Sequence, residues 1–183
     1  MLHFLDVGAN EGQTFDCYLS SHPEYDGCHV WCIEPSPRVM LPLLQKAYQL
    51  REKYQIHVCP FGLRAFSGLV PFYMMATGSP ADSFEVTVGP VMQCGYSIDT
   101  YAVGLREFLR YVLKPHDTAV LKLDCEGSEY ELLTCLLDST SLSYVTKIMV
   151  EFHQVKLISS MPGEEELKRQ FAEHGKALEN WPY

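Results

Sequence analysis

Four β-like runs of this chain end in charged side chains. Asp6 closes the run His3 to Val7, Glu34 follows Cys28 to Ile33, Asp124 follows Ala119 to Leu123, and Glu151 and His153 close Lys147 to Phe152. Carboxylates are costly to bury unless they have partners, so acids repeated at strand ends point to a ligand. The first loop, Asp6-Val7-Gly8-Ala9-Asn10-Glu11-Gly12, adds two glycines that let the backbone turn tightly and approach that ligand closely. Its Gly-x-x-x-Gly spacing, with Asn10 between, lacks the Gly-x-Gly-x-x-Gly dinucleotide fingerprint.

An acid just before the loop, Asp6, suits a ligand carrying a cationic amine better than one carrying a pyrophosphate. Glu34 lies 26 residues after Gly8, where an acid can accept both hydroxyls of a ribose. Amine-binding acid, glycine loop and ribose acid together describe S-adenosylmethionine (SAM). The structural alternative is a glycine turn in an ordinary βα unit with surface acids.

The elements that must position these residues follow from periodicity. Short apolar runs alternate with segments of helical period, the pattern of an α/β fold with a parallel sheet, whose ligands bind outside the carboxyl ends of the strands. Helices are expected after the first loop through about Ser20, after Ser36 (an N-cap, with Pro37 at the first helical position and Pro42 kinking the helix or resetting its start), over Leu105 to Leu113, over Glu129 to Leu137, and over Glu164 to His174. Ile56 to Cys59 reads as a third strand and Leu69 to Tyr73 as an edge strand or hairpin arm. Met75 to Ser83 is rich in turn formers and reads as a loop, and two β-like runs flank a turn at Gly89-Pro90. Tyr96, Ser97 and Asp99 are expected to precede a helix, with Asp99 as a cap.

Composition narrows the function classes. The 183 residues suit one domain, and 14 Lys plus Arg against 23 Asp plus Glu give a net charge of −9. Binding to a phosphate backbone needs a basic face, so nucleic acid is not an expected partner. No apolar run approaches the ~18 residues of a membrane span, and the first residues lack the basic start and apolar stretch of a secretory signal. Seven cysteines, an odd number without a Cys-x-x-Cys pair, read as reduced core thiols in the cytoplasm.

A second constellation runs Lys122-Leu123-Asp124-Cys125-Glu126-Gly127-Ser128-Glu129, with Leu132 and Leu133 beyond. With Asp-Val-Gly-Ala-Asn-x-Gly, Glu34-Pro35 and the Glu-x-His of Glu151 and His153, it resembles the FkbM-type family of SAM-dependent methyltransferases. The four motifs stand in family order from Asp6 to His153. The resemblance implies a Rossmann-like class I methyltransferase fold, a mostly parallel sheet flanked by helices, and methyl transfer to a hydroxyl oxygen of a sugar, glycan or similar small polar acceptor. It implies that Asp6, Gly8, Asn10, Gly12 and Glu34 hold the cofactor, and that Asp124, Glu126, Glu129, Glu151 and His153 line the acceptor side. Asp82 and Ser83 fall where the family presents polar side chains to the ligand, and are expected substrate contacts.

The chain departs from the family at Cys125, where Val or Ile is usual, and at Ser128, where Ala is common. It begins directly on the first strand, and only eight residues follow Gly175. That is too little for the usual antiparallel final strands, so a single domain over 1–183, either compact or truncated, is expected to lack them.

A sugar hydroxyl is a poor nucleophile at neutral pH, so transfer needs a base or a metal. His153, with an ordinary pKa near 6.5, is the candidate base, with Asp124 and Glu151 beside it as the other candidate catalytic residues. The other route is a divalent cation, Mg²⁺ or Mn²⁺, on Asp124 with Glu126, Glu129 or Glu151. A non-catalytic SAM-binding or scaffolding member and a dinucleotide-dependent oxidoreductase are the alternative functions. The missing third glycine and the Glu-Gly-Ser-Glu block count against the oxidoreductase.

Overall fold

The computed structural model describes residues 1–75, 82, 94–138, 140–153 and 161–181. In chain order the elements are β1 (Leu2–Val7), α1 (Gln13–Cys17), β2 (His29–Ile33), α2 (Met40–Leu50), β3 (Gln55–Cys59), β4 (Gly62–Arg64), β5 (Gly68–Met75), β6 (Cys94–Gly104), α3 (Leu105–Val112), β7 (Thr118–Leu123), α4 (Glu129–Leu137), β8 (Val145–Val150), α5 (Glu164–Glu173) and β9 (Leu178–Asn180). Six strands form one sheet in the order β3-β2-β1-β7-β8-β9, and every neighbouring pair is parallel. The chain winds outward from β1 to β3, passes through a separate sheet ordered β4-β6-β5, returns beside β1 as β7, and winds outward to β9. This is the Rossmann-like α/β class expected. The winding direction reverses between β1 and β7, so the loops after these strands part and leave a crevice.

Both faces of the sheet are buried, which is why its strands read as continuous apolar runs. Along β1, Phe4 joins Phe15, Leu19, Leu43 and Trp181 on one face, while Leu5 and Val7 join Leu105, Leu109, Leu132 and Phe171 on the other. Helix α3 buries Leu105, Phe108, Leu109 and Val112, one stripe at helical spacing.

Several expectations are corrected. Ser36 does not cap α2: the helix starts at Met40, which places Pro42 in its first turn, where a missing N–H costs nothing. Asp99 is not a cap, because Tyr96, Ser97 and Asp99 lie inside the long strand β6, and α3 starts directly after Gly104. Leu69 to Tyr73 is the hairpin arm expected, as β5 antiparallel to β6. After Gly175 a parallel strand is added, β9 pairing with β8 through Leu178, Glu179 and Asn180, and among the described residues this sheet has no antiparallel final strands, as expected. A tight turn at Gly175 (φ 69°), a Lys147–Glu179 ion pair at 3.0 Å and the buried Trp181 let three residues suffice. The turn-rich stretch (apart from Met75 and Asp82), Ser83 and the runs around Gly89-Pro90 lie outside the described residues.

Candidate active site

A cavity of about 880 Å³, counting its open mouth, lies over the ends of β1, β2 and β7. The loop after β1 forms its floor. Gly8 has φ 77°, and a Cβ there would stand 1.8 Å from the Asp124 carbonyl oxygen, so only glycine lets the two strand ends close up. The Gly8 and Ala9 amides donate to the Ile33 carbonyl at 3.0 and 3.2 Å, tying the loop to the end of β2. Gly12 serves packing instead: a Cβ there would press on Lys46, Phe15 and Leu43, away from the cavity.

Glu34 organises one end. Its Oε2 accepts from the Asn10 amide at 2.9 Å and its Oε1 from the Ser36 amide at 2.7 Å. Burial pushes its pKa up to about 6 against the pull of those two bonds. Each oxygen keeps a lone pair for a hydroxyl donor. Ile33, Val39, Leu63 and Phe72 add an apolar wall. Asp82 is held at this same end, accepting from Ser36 Oγ at 2.8 Å and pairing with Arg38 at 3.2 Å.

Acids and one imidazole organise the other end. His153 Nδ1 donates to Glu129 Oε1 at 3.0 Å, and its Nε2 faces Glu126 (3.5 Å), Glu151 (3.8 Å) and Asp124 (3.9 Å). Burial alone would lower its pKa, but the Glu129 hydrogen bond and the surrounding carboxylates push it up to about 9. The ordinary value near 6.5 expected for a base therefore does not hold, and the ring carries a proton at neutral pH. Burial also raises Glu126 and Glu151 above the usual carboxylate range, with the His153 charge opposing.

Glu129 is not at the cavity wall. It is fully buried and accepts from the Cys125 and Gly127 amides at 2.7 and 2.9 Å, so it shapes the 125–128 turn and orients His153. One ligand atom each from Asp124, Glu151 and His153 lie within 4.8 Å of one another, so His153 replaces Glu129 in the candidate cation set. Two carboxylates with an imidazole form a mixed donor set that suits Mn²⁺ better than Mg²⁺.

Asp6 is likewise fully buried, below the cavity. It pairs with Lys122, whose Nζ is 3.0 Å from Asp6 Oδ1 and 3.3 Å from Asp124 Oδ2 and donates to the Gly8 carbonyl at 2.8 Å. Burial opposes the lysine's charge, but the two aspartates outweigh it and hold its pKa above the usual lysine value. A second cavity of about 580 Å³ adjoins the first, sharing Gly8, Asn10 and Asp124 and adding Gln13, Thr14, Cys17, Lys122 and Trp181.

Of the residues singled out from the sequence, Gly8, Asn10, Glu34, Asp82, Asp124, Glu126, Glu151 and His153 line the first cavity together. Asp6, Gly12 and Glu129 support it from behind, and Ser83 lies outside the described residues. Sequence reasoning missed Ser36, Phe72, Trp181 and above all the role of Lys122. A lysine inside an otherwise apolar strand was a legible signal, since a buried charge requires a partner.

A Rossmann-like domain with a polar cavity at the strand switch defines a class of nucleotide- and cofactor-binding α/β proteins. Within that class, the Methyltransferase FkbM domain matches residues 6–178, and the chain belongs to this methyltransferase family. No curated protein and no solved structure matches the chain.

Proposed function

We infer that the protein is a SAM-dependent O-methyltransferase acting on a hydroxyl of a sugar, glycan or similar small polar acceptor. The observation that carries this reading is one cavity with two unlike ends. Glu34 and an apolar wall suit an adenosine, and the acids around His153 suit a sulfonium centre and the acceptor beside it. The adjoining cavity, with Gln13 and Thr14, takes the amino-acid end.

SAM supplies an activated methyl, and the chain's work is to hold the acceptor oxygen in line within about 3–3.5 Å of it. Glu34 accepts the ribose hydroxyls while its own position is held by the Asn10 and Ser36 amides. His153 is protonated in this setting and orients the acceptor by donating from Nε2, leaving the carboxylates of Glu126, Glu151 and Asp124 around it as the proton acceptors. In the alternative route a divalent cation, with Mn²⁺ the better match, would displace the Nε2 proton of His153, bind there and to Asp124 and Glu151, and lower the pKa of the hydroxyl.

Among the described residues no helix is long and apolar enough to cross a membrane. Cys17, Cys28, Cys32, Cys59, Cys125 and Cys135 are free thiols, in keeping with a reducing compartment such as the cytoplasm. The net charge of −9 speaks against a nucleic-acid acceptor.

Calorimetric titration with SAM and S-adenosylhomocysteine, followed by mass spectrometry of a glycan panel, tests the reading. A chain that binds neither ligand overturns it, and binding without transfer favours the non-catalytic alternative. Loss of transfer on chelation, restored by Mn²⁺, assigns the cation; indifference to chelation assigns the proton to the carboxylates.

A further inference from the structure

We propose that Lys122 is a positioning residue for the donor site, an inference that rests on the cofactor reading above. Its side chain is 3% exposed and reaches four groups, on the first loop, at the end of its own strand and near the end of the chain. Nζ lies 2.8 Å from the Gly8 carbonyl oxygen, 3.0 Å from Asp6 Oδ1, 3.3 Å from Asp124 Oδ2 and 5.6 Å from the centre of the Trp181 ring. Charge neutralisation of Asp6 alone does not require this reach.

The placement follows from the sheet. Asp6 and Lys122 are register partners on β1 and β7. Residues two apart on a strand share a face, so Asp124 stands one step further along on the side of Lys122, and Gly8 one step beyond Asp6. Lys122 extends from the first of these rows to the second, where the cavities begin. The Gly8 and Ala9 amides already hold one side of the loop through the Ile33 carbonyl, and Lys122 holds the other through the Gly8 carbonyl. Gly8 (φ 77°) and Asn10 (φ 48°) are both left-handed, a conformation uncommon for a residue other than glycine, so at Asn10 the surrounding contacts must hold it. The same ammonium holds Asp124 Oδ2, which leaves Oδ1 to face His153. Gly8, Asn10 and Asp124 line both cavities, so the group that holds Gly8 and Asp124 shapes both at once.

The test pairs Lys122→Met with Asp6→Asn, which removes the buried charges as a unit so that neither is stranded. Circular dichroism and thermal melting confirm that the variant is folded. Calorimetry then compares S-adenosylhomocysteine with 5′-methylthioadenosine, which lacks the amino-acid end. Positioning predicts that both ligands weaken by about tenfold or more, because both use the same preorganised loop. Loss confined to S-adenosylhomocysteine would make Lys122 a direct ligand of the amino-acid end and overturn the proposal. Unchanged affinity for both would reduce the lysine to a structural role, with the same result. If the paired variant does not fold, Lys122→Arg keeps the cation while altering its reach to Gly8, and the same two titrations decide. Failure of the unaltered chain to bind either ligand shows before any substitution, and removes the cofactor reading together with this one.

Discussion

Asp6 and Lys122 face each other across adjacent parallel strands, and their charged atoms meet at 3.0 Å with both side chains buried. The acid before the glycine loop is therefore spent on the lysine of the Lys-x-Asp motif. Negative charge at the His153 end of the cavity wall comes instead from Asp124, Glu126 and Glu151. The two motifs, more than a hundred residues apart, form one support, because each supplies the counter-charge the other needs to be buried.

Gly8→Ala is expected to cost at least about 3 kcal/mol, combining a left-handed backbone with a collision against the Asp124 carbonyl. Gly27 has a similar φ of 81° but open space around it, so Gly27→Ala should cost about 1 kcal/mol. Urea denaturation of the two variants separates the close approach from the backbone strain.

Affinity for S-adenosylhomocysteine should fall as pH drops through about 6, where Glu34 takes up a proton and loses its charge and part of its capacity to accept from a ribose. Because this pKa is raised above its unfolded value, the stability linked to Glu34 is greatest below the ordinary glutamate pKa and is lost as pH rises through about 6. Calorimetry between about pH 5 and 8 should show a sloping affinity that Glu34→Gln flattens.

Glu129→Gln should lower the His153 pKa from about 9 by about one unit or more, since it removes the charge that accepts the Nδ1 proton. The stability linked to His153 is present in full below the ordinary histidine pKa of ~6.5 and is lost as pH rises through about 9. An NMR titration of the ring protons reads the shift directly. An unmoved titration would show that Glu126, Glu151 and Asp124 hold the proton without Glu129.

A separate histidine stack lies on β1, β2 and β3. His29 Nδ1 is 3.0 Å from His57 Nε2, His57 stacks on Trp31, and the Trp31 indole donates to His3 Nδ1 at 3.1 Å. Burial lowers the pKa of both His3 and His57; His29 lowers both further, and Asp117 partly offsets the shift at His3. A depressed histidine pKa contributes stability above ~6.5 that is lost as pH falls through the folded value. The stack's own contribution should therefore fall on acidification from about pH 7 to 5, so that His57→Phe, which keeps the stack on Trp31, gains in melting temperature relative to the unaltered chain over that range.

Much of the fold was legible because local pattern and long-range burial agree. The apolar run Ala119 to Leu123 forms β7, the stripe at Leu105, Phe108, Leu109 and Val112 forms the face of α3, and α4 spans Glu129–Leu137 as its pattern predicts. β6 was misread around Asp99, since an isolated polar residue before an amphipathic helix looks like a cap. Only pairing with β5 shows that it is a strand position. The three residues of β9 carry too little pattern to be read as a strand, and they become one through β8 and the burial of Trp181.

The sequence by itself determined the Rossmann-like class, the strand-end positions of Glu34, Asp124, Glu151 and His153, and the glycine loop, because periodicity and turn chemistry act over a few residues. Tertiary structure alone decided which acids face the cavity and which are spent beneath it. Asp6 goes to Lys122 and Glu129 to the amides of Cys125 and Gly127, while Glu126 and Glu151 remain at the mouth. It also decided that His153 is charged, since that depends on four carboxylates brought around one ring. The physical reason is the same in each case. A carboxylate's role is set by its burial and its partners, and those partners come from strands that are neighbours in the sheet but distant in the chain.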